Sequence, residues 1–230
     1  MRVDWLPDVL HEAGLVVTAL DGWRGRGWDL ASVDAVICHA TITGRHVPDV
    51  NVAGILRDGR SDLPGPLCQL GLDRQGRWWM IAAGKGNHNG HGRYANQTIG
   101  IEAFNDGSES WPTIQLDSYQ RGVAAICAHL LLPVERVLAH RESDPGRKSD
   151  PAGIDMDAFR RNVTAHIARL AREDDMTPEQ DERQKRIEEK LDRLLNAQAG
   201  WKTRADGTRG TTNDERSLLG RIGDAVKAKR

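Results

Sequence analysis

Short apolar runs alternate with amphipathic stretches along residues 1–172, and this alternation is what most constrains the fold. The runs at 15–20, 34–42 and 98–104 are apolar and rich in β-branched residues, which is typical of buried strands. Residues 113–132 instead place most of their apolar positions on one helical face. Strands interleaved with helices predict an α/β domain whose sheet is covered on both faces.

The remaining segments of this part continue the same pattern. Further strands are predicted as a hairpin within 67–84, turning at Asp73–Gly76, and as a short strand over 134–140. Further helices are predicted from Trp5 to Gly14, over 47–59 and over 155–171. The polar stretch from 138 to 151 looks too short for a regular element and is expected to be a loop.

Charged and polar residues dominate beyond Arg172, so we predict a folded domain over 1–172 and a helical C-terminal region over 173–230. That region divides into a short coiled-coil-like helix, a linker and an amphipathic helix, at 178–198, 199–212 and 213–229. A seam of barely two heptads is marginal alone. Cell-wall binding, oligomerisation, docking on the first domain and a solvated tail all remain open. An internal start at Met176 would yield a separate fragment, detectable by mass spectrometry.

Charge and hydropathy exclude several classes of protein. The formal net charge of −1 argues against a nucleic-acid binder, which usually carries a basic surface. The chain has no run of 18 apolar residues that would predict a membrane span, and its first residues lack the apolar segment of a secretory signal. The odd set of Cys38, Cys68 and Cys127, each in an apolar context, predicts reduced core thiols.

Two histidines and one aspartate lie at strand ends or in the polar stretch. His39 lies near the end of VICHAT, His140 ends VLAH, and Asp150 follows Lys148 by two residues. Residues two apart in an extended loop point the same way, so Lys148 and Asp150 can face one cavity. Two imidazoles and a carboxylate form a known catalytic zinc set that leaves a position for water. Taken singly, each histidine is more often a core or rim residue.

Glu102 lies inside the apolar strand TIGIEAF. Burying a carboxylate there is costly unless it faces a wet functional cavity or pairs with a cation. Both alternatives stay open from the sequence: a general base beside a catalytic water, or a salt-bridged strand residue.

Four segments in this order resemble the zinc-dependent N-acetylmuramoyl-L-alanine amidases of type 2, above all the bacteriophage endolysins among them. They are VICHAT, GPLCQLGLDRQGRWWMIAAGKGNHNGHG, NQTIGIEAFN and AHRESDPGRKSDP, and GWRGRG at 22–27 is similar to the lead-in of such phage enzymes. The likeness covers about residues 1–170. It implies a fold related to peptidoglycan-recognition proteins, with a central mixed sheet of about five or six strands flanked by helices.

The resemblance also implies site residues and a reaction. His39, His140 and Asp150 would bind one Zn²⁺, Glu102 would be the general base, and Lys148 would stabilise the oxyanion. The implied reaction cleaves the amide between the lactyl group of N-acetylmuramic acid and L-alanine of the peptidoglycan stem peptide. As a phage lysis enzyme, the protein would stay in the host cytoplasm until the membrane opens, and would then reach the wall.

Several assignments around this site are less specific. Thr41, His88 and Tyr94 are predicted as substrate contacts, while the spacing of His88 and His91 also suits metal ligands. Many relatives have a second His where this chain has Cys38, and we expect Cys38 in the core because strand neighbours face opposite sides. Two other functions are weighed: a non-catalytic peptidoglycan-recognition module and a zinc peptidase acting on the stem peptide. A homo-oligomer through the C-terminal helices is a further expectation.

Overall fold

A computed structural model of the chain describes residues 1–174 and Glu189. Residues Met1–Asp174 form one compact unit. Apart from Glu189, the predicted C-terminal elements lie outside the described residues. These elements are the helices over 178–198 and 213–229, the linker between them and the internal start at Met176. The domain boundary near residue 172 and the homo-oligomer therefore stay predictions.

Helices and strands are interleaved through the described chain, as predicted, with five successive strands between α2 and α3. The α-helices are α1 (Leu6–Glu12), α2 (Asp49–Asp58), α3 (Thr113–Leu130), α4 (His140–Ser143) and α5 (Met156–Asp174). The strands are β1 (Val17–Ala19), β2 (Ala35–Ala40), β3 (Gly59–Arg60), β4 (Leu63–Pro64), β5 (Leu70–Leu72), β6 (Trp78–Met80), β7 (Thr98–Ala103) and β8 (Val137–Ala139). Among these described helices, none combines the length and apolarity needed to cross a bilayer.

Six of the strands form one mixed sheet, which confirms the predicted fold class. Their order is β1-β6-β5-β7-β2-β8, and β3 pairs separately with β4. The neighbours β5 and β6 are antiparallel, whereas the other pairs in the six-stranded sheet are parallel. The predicted hairpin turn is present: Asp73 Oδ1 accepts hydrogen bonds from the backbone N–H groups of Gln75 (2.9 Å) and Arg77 (3.0 Å).

The polar stretch after β8 differs from the expectation of an irregular loop. The predicted strand over 134–140 is shorter than expected, because Val134–Arg136 form a 3₁₀ turn and the strand ends at Ala139. His140 then begins the one-turn helix α4. A single turn has too few residues to show helical periodicity, so the sequence pattern did not indicate it.

The main core lies between the sheet and helices α1, α3 and α5. Trp78, Tyr119 and Phe159 are fully buried in it, and their rings meet edge to face in the pairs Trp78–Tyr119 and Tyr119–Phe159. Cys38 belongs to this core, as expected from its position on β2. All three cysteines are buried free thiols, as predicted.

The opposite face of the sheet carries two smaller apolar clusters. One joins α2 to the sheet through Val52, Leu56 and Phe104. The other contains Ala35, Ile37 and Leu138, which alternate with the core residues of their strands. The polar residues with candidate functions lie on this second face, which the longer helices α3 and α5 do not cover.

The space around two helix glycines predicts how their replacement by alanine changes the stability of the fold. A Cβ on Gly122 would lie 2.2 Å from Cζ2 of buried Trp78, whereas a Cβ on Gly54 in α2 meets nothing within 4 Å. Gly122→Ala should therefore destabilise the fold by about 1–3 kcal/mol through overpacking. Gly54→Ala should stabilise it by up to ~1 kcal/mol through helix propensity. Chemical denaturation of the full chain, followed by tryptophan fluorescence, checks both; equal effects of the two variants would contradict the packing described.

Candidate active site

The two central strands β2 and β7 present the first pair of site residues. They pair in parallel register with His39 opposite Glu102, so both side chains leave the same face of the sheet. Every residue of β2 is buried, because the strand lies between β7 and β8 and both of its faces are covered. A buried central strand holds His39 more rigidly than a loop would.

His140 follows directly from the neighbouring strand. Strand β8 pairs with β2 through Cys38 and Ala139, so the residue after Ala139 starts α4 close to His39. Glu142 Oε2 accepts a hydrogen bond from the Ala139 N–H at 2.8 Å, and Arg160 binds the same carboxylate at 3.0 Å. These contacts fix the turn from strand to helix and with it the direction of His140.

The loop after α4 runs back towards His39 and His140 and contains Asp150. The backbone N–H of Arg141 donates to the Asp150 carbonyl at 2.9 Å. The Arg141 guanidinium also donates to the Pro151 carbonyl and, at 2.6 Å, to the Ile154 carbonyl. One arginine thus fastens the loop at three points.

The three side chains predicted as metal ligands converge. His39 Nδ1 lies 2.9 Å from His140 Nδ1 and 3.4 Å from Asp150 Oδ2. His140 Nδ1 lies 3.2 Å from Asp150 Oδ2. One candidate ligand atom from each residue lies within 4.8 Å of the others. His39 lies 101 residues before His140 in the sequence, so the fold brings His39 to the other two residues.

Burial and mutual contact change the protonation of these groups. Burial, with the neighbouring His140 as a smaller cause, lowers the pKa of His39 to about 4, against the opposing interaction of the protonated ring with Asp150. Burial alone would raise the pKa of Asp150, but the contacts with His140 and His39 outweigh it and hold that pKa well below its usual range. At neutral pH the site therefore holds a neutral His39 ring and an ionised carboxylate, the forms that bind metals.

Glu102 lies at the edge of this cluster. Its Oε1 is 3.9 Å from His39 Nδ1, and its buried Oε2 has no hydrogen-bond partner among the described residues. Burial, and then the negative charge of Asp150, raise the pKa of Glu102 to about 8, while Lys148 opposes the shift. A carboxyl group with a pKa near neutrality can exchange protons in both directions, as a general base that later acts as an acid must.

A cavity of about 430 Å³ opens in front of these groups. Glu102, His140, Lys148 and Asp150 line it, so Lys148 and Asp150 face one space as the loop spacing predicted. Thr41 also lines the cavity, and its buried hydroxyl has no hydrogen-bond partner within the described part of the chain. The cavity lining also contains apolar side chains: Ile42, Val52, Ile55, Leu56, Leu63 and Leu67.

The other predicted site residues lie in different surroundings. His88 is buried, lines the cavity and places its Nδ1 3.0 Å from His39 Nε2. Tyr94 packs instead against the cluster of Ala35, Ile37 and Leu138, with the Arg136 guanidinium 4.7 Å above its ring. His91 is exposed and lies outside the cluster of candidate ligands found among the described residues.

Arg60 is a cavity residue that the sequence did not indicate. It lies in the β3–β4 hairpin, pairs with Asp62 at 3.0 Å and lines the cavity that contains Glu102. A single arginine in a short polar turn resembles any solvated surface residue. No local pattern distinguishes it, because its place beside the site depends on how α2 and the hairpin pack.

The donor set fits a divalent transition metal. Two imidazole nitrogens and one carboxylate oxygen are ligands that zinc prefers, and three protein ligands are typical of a catalytic rather than a structural zinc site. Nε2 of His140, although buried, has no hydrogen-bond partner among the residues described, and Glu102 Oε2 is in the same situation. Unpaired buried polar atoms are costly, which is consistent with a site that binds a further polar group.

Comparison with known proteins identifies the class of enzyme. Residues 29–153, more than half of the chain, match the model of a family described as N-acetylmuramoyl-L-alanine amidase. The chain belongs to this family and is an N-acetylmuramoyl-L-alanine amidase, a hydrolase of peptidoglycan. No curated protein matches the chain.

Solved structures of two amidases and of an endolysin share the fold. An endolysin amidase LysCS from Clostridium intestinale URNW is 11% identical, with a TM-score of 0.51 over 64% of this chain and 95% of that one. The amidase LysC from the same organism is 12% identical, with a TM-score of 0.52 over 64% and 97%. A mutant endolysin from Bacillus subtilis is 14% identical, with a TM-score of 0.51 over 65% and 99%. At such low identity the likeness concerns the fold alone.

Proposed function

We propose that this amidase is zinc-dependent and binds one Zn²⁺ through His39, His140 and Asp150. The observation that carries the proposal is the convergence of three ligand atoms within 4.8 Å, from a residue on strand β2, the first residue of α4 and a residue of the following loop. When bound, zinc would supply a Lewis acid and would lower the pKa of a coordinated water from ~15.7 to about 7.

Glu102 is the proposed general base and acid. Hydrolysis adds the oxygen of water to the lactyl carbonyl carbon, breaks the C–N bond and leaves a proton on the amine of L-alanine. Glu102 Oε2, which faces the site without a partner among the described residues, would take the proton from the attacking water. The same oxygen would then donate a proton to the departing nitrogen, so that the carboxylate is regenerated in each turnover.

Lys148 is the proposed stabiliser of the charge that develops on the carbonyl oxygen. Its side chain lines the same cavity as Glu102 and Asp150 and is half-buried. An ammonium group in a partly water-excluded cavity stabilises a tetrahedral oxyanion more strongly than it would in bulk water. The backbone N–H of Lys148 donates to the Asp144 carbonyl at 3.2 Å, which anchors the loop at this residue.

The bond that is cleaved can be tested on purified peptidoglycan. After digestion, labelling of new amino termini should find L-alanine, because the amide on the lactyl side is broken. Any other new terminal residue would show a peptidase acting within the stem peptide. Release of no new terminus by an intact, zinc-loaded protein would instead support a peptidoglycan-recognition module, and either result would overturn the proposal.

We also propose that the enzyme acts as an endolysin that lyses a bacterial host at the end of phage infection. The support is the resemblance of the four segments to phage enzymes. The protein would then remain in the cytoplasm until the membrane opens and would degrade the wall afterwards. Expression in susceptible bacteria should leave the cells intact until a membrane-permeabilising agent is added. Rapid lysis on expression alone would contradict this order of events.

A further inference from the structure

His88 lies directly against strand β7, where Gly100 leaves room for its ring. A Cβ on Gly100 would lie 2.6 Å from both Cγ and Nδ1 of His88, a distance that real side chains do not adopt. Gly100 is two residues before Glu102 on the same face of β7, since side chains alternate along a strand. The missing side chain at Gly100 therefore allows the His88 ring to lie on the sheet beside the site.

The hydrogen bonds of His88 determine which of its nitrogens carries the proton. Its Nε2 lies 3.3 Å from the Thr98 carbonyl oxygen and 3.3 Å from Thr98 Oγ1. The carbonyl can only accept, and the Thr98 hydroxyl donates to the Ala95 carbonyl, so both partners of Nε2 act as acceptors. The neutral ring thus carries its proton on Nε2, and its Nδ1 is an acceptor.

This arrangement sets the tautomer of His39 in turn. His39 Nε2 lies 3.0 Å from His88 Nδ1, so it must be the donor of that hydrogen bond. A neutral His39 that is protonated on Nε2 has its lone pair on Nδ1. That nitrogen is the one located 2.9 Å from His140 Nδ1 and 3.4 Å from Asp150 Oδ2.

The loop that carries His88 is fastened to the helix that carries His140. Ser143 Oγ in α4 donates to Asn89 Oδ1 at 2.8 Å, and the Arg93 N–H donates to the Ser143 carbonyl at 2.9 Å. The Asn89 N–H donates to Asn96 Oδ1 at 2.7 Å across the same loop. His88 is therefore held in place by the sheet on one side and by α4 on the other.

We propose that His88 is a positioning residue, which fixes the orientation and tautomer of His39 so that Nδ1 is presented to the metal. The inference rests on the proposed zinc site and goes beyond it. It reassigns His88 from the substrate contact or metal ligand that the sequence allowed. Partners of this kind, which bind the second nitrogen of a ligating imidazole, typically contribute 10–100-fold to metal affinity.

The test measures zinc affinity in the full-length protein by competition with a chromophoric chelator, with Zn²⁺ alone as the probe. His88→Ala should raise the dissociation constant about 10–100-fold. His88→Asn should retain most of the affinity, because its Oδ1 can accept the hydrogen bond from His39 Nε2. His91→Ala, which removes an exposed ring from the same loop, is the matched control and should leave the affinity unchanged.

A second readout needs no substitution. Nitrogen-15 NMR of the histidine rings in the metal-free wild type should show His39 and His88 as Nε2–H tautomers. The proposal is overturned if His39 is mainly the Nδ1–H tautomer, or if His88→Ala binds zinc as tightly as the wild type. It is also overturned if His88→Asn loses as much affinity as His88→Ala. Failure of the wild type to bind zinc would instead overturn the proposed function, so the two failures are distinguishable.

Discussion

Replacing Glu102 by Gln should lower the turnover number of the amidase by about 10²–10⁴-fold, the usual contribution of a general acid–base group. Gln keeps the size of the side chain and its contacts on β7 but cannot take up a proton from water. The zinc content should stay at the wild-type value, because Glu102 is not among the three grouped ligands. Rates of new amino-terminus formation on purified peptidoglycan, together with metal analysis, measure both quantities.

Glu135→Gln is a matched control for this substitution, because Glu135 is an exposed glutamate in the 3₁₀ turn before β8. It should retain wild-type activity. If Glu102→Gln kept its zinc and its full turnover rate, Glu102 would be a structural strand residue and the proton-transfer role would be wrong.

Replacing Lys148 by Met should lower the turnover number by about 10²–10³-fold, with a smaller effect on substrate binding. Met keeps much of the aliphatic stem and loses the cation that faces the cavity. The effects on turnover number and on the Michaelis constant must be measured separately, because a group that stabilises only the transition state changes the rate constant rather than the Michaelis constant. Steady-state kinetics on soluble muropeptide fragments would resolve the two parameters.

Arg147→Met removes the neighbouring cation and serves as the control. The Arg147 guanidinium binds Asp144 on the surface of the loop, with Nε 2.5 Å from Asp144 Oδ2. Its removal should leave turnover close to the wild-type value. A rise in the Michaelis constant alone for Lys148→Met would show that Lys148 binds the ground state of the substrate, which contradicts its role at the oxyanion.

The sequence was sufficient to predict the strands that carry the site. Alternation along VICHAT assigned Cys38 to the core and His39 to the opposite face, as the structure shows. The apolar run around Glu102 likewise predicted a strand. Glu102 itself was recognisable as a site candidate, because an isolated carboxylate in an apolar run needs a special environment. These predictions succeeded because the period of a strand is a local property of its residues.

The contacts between distant loops could not be predicted in the same way. The NHNGHG segment gave no sign that His88 would contact His39, because that contact depends on the packing of a loop against β7 and α4. Gly100 is the one local signal of this contact, because an isolated glycine inside a strand indicates a close approach by another group. Tyr94 shows the converse, since an aromatic residue near the site packs against Leu138 instead.

Metal analysis of the purified full-length protein tests the central claim most directly. After dialysis against metal-free buffer, the wild type should retain one zinc ion per chain, and His140→Ala should retain almost none. His91→Ala should match the wild type. A wild type without bound zinc, or a His140→Ala variant that still holds one ion per chain, would contradict a metal site at His39, His140 and Asp150.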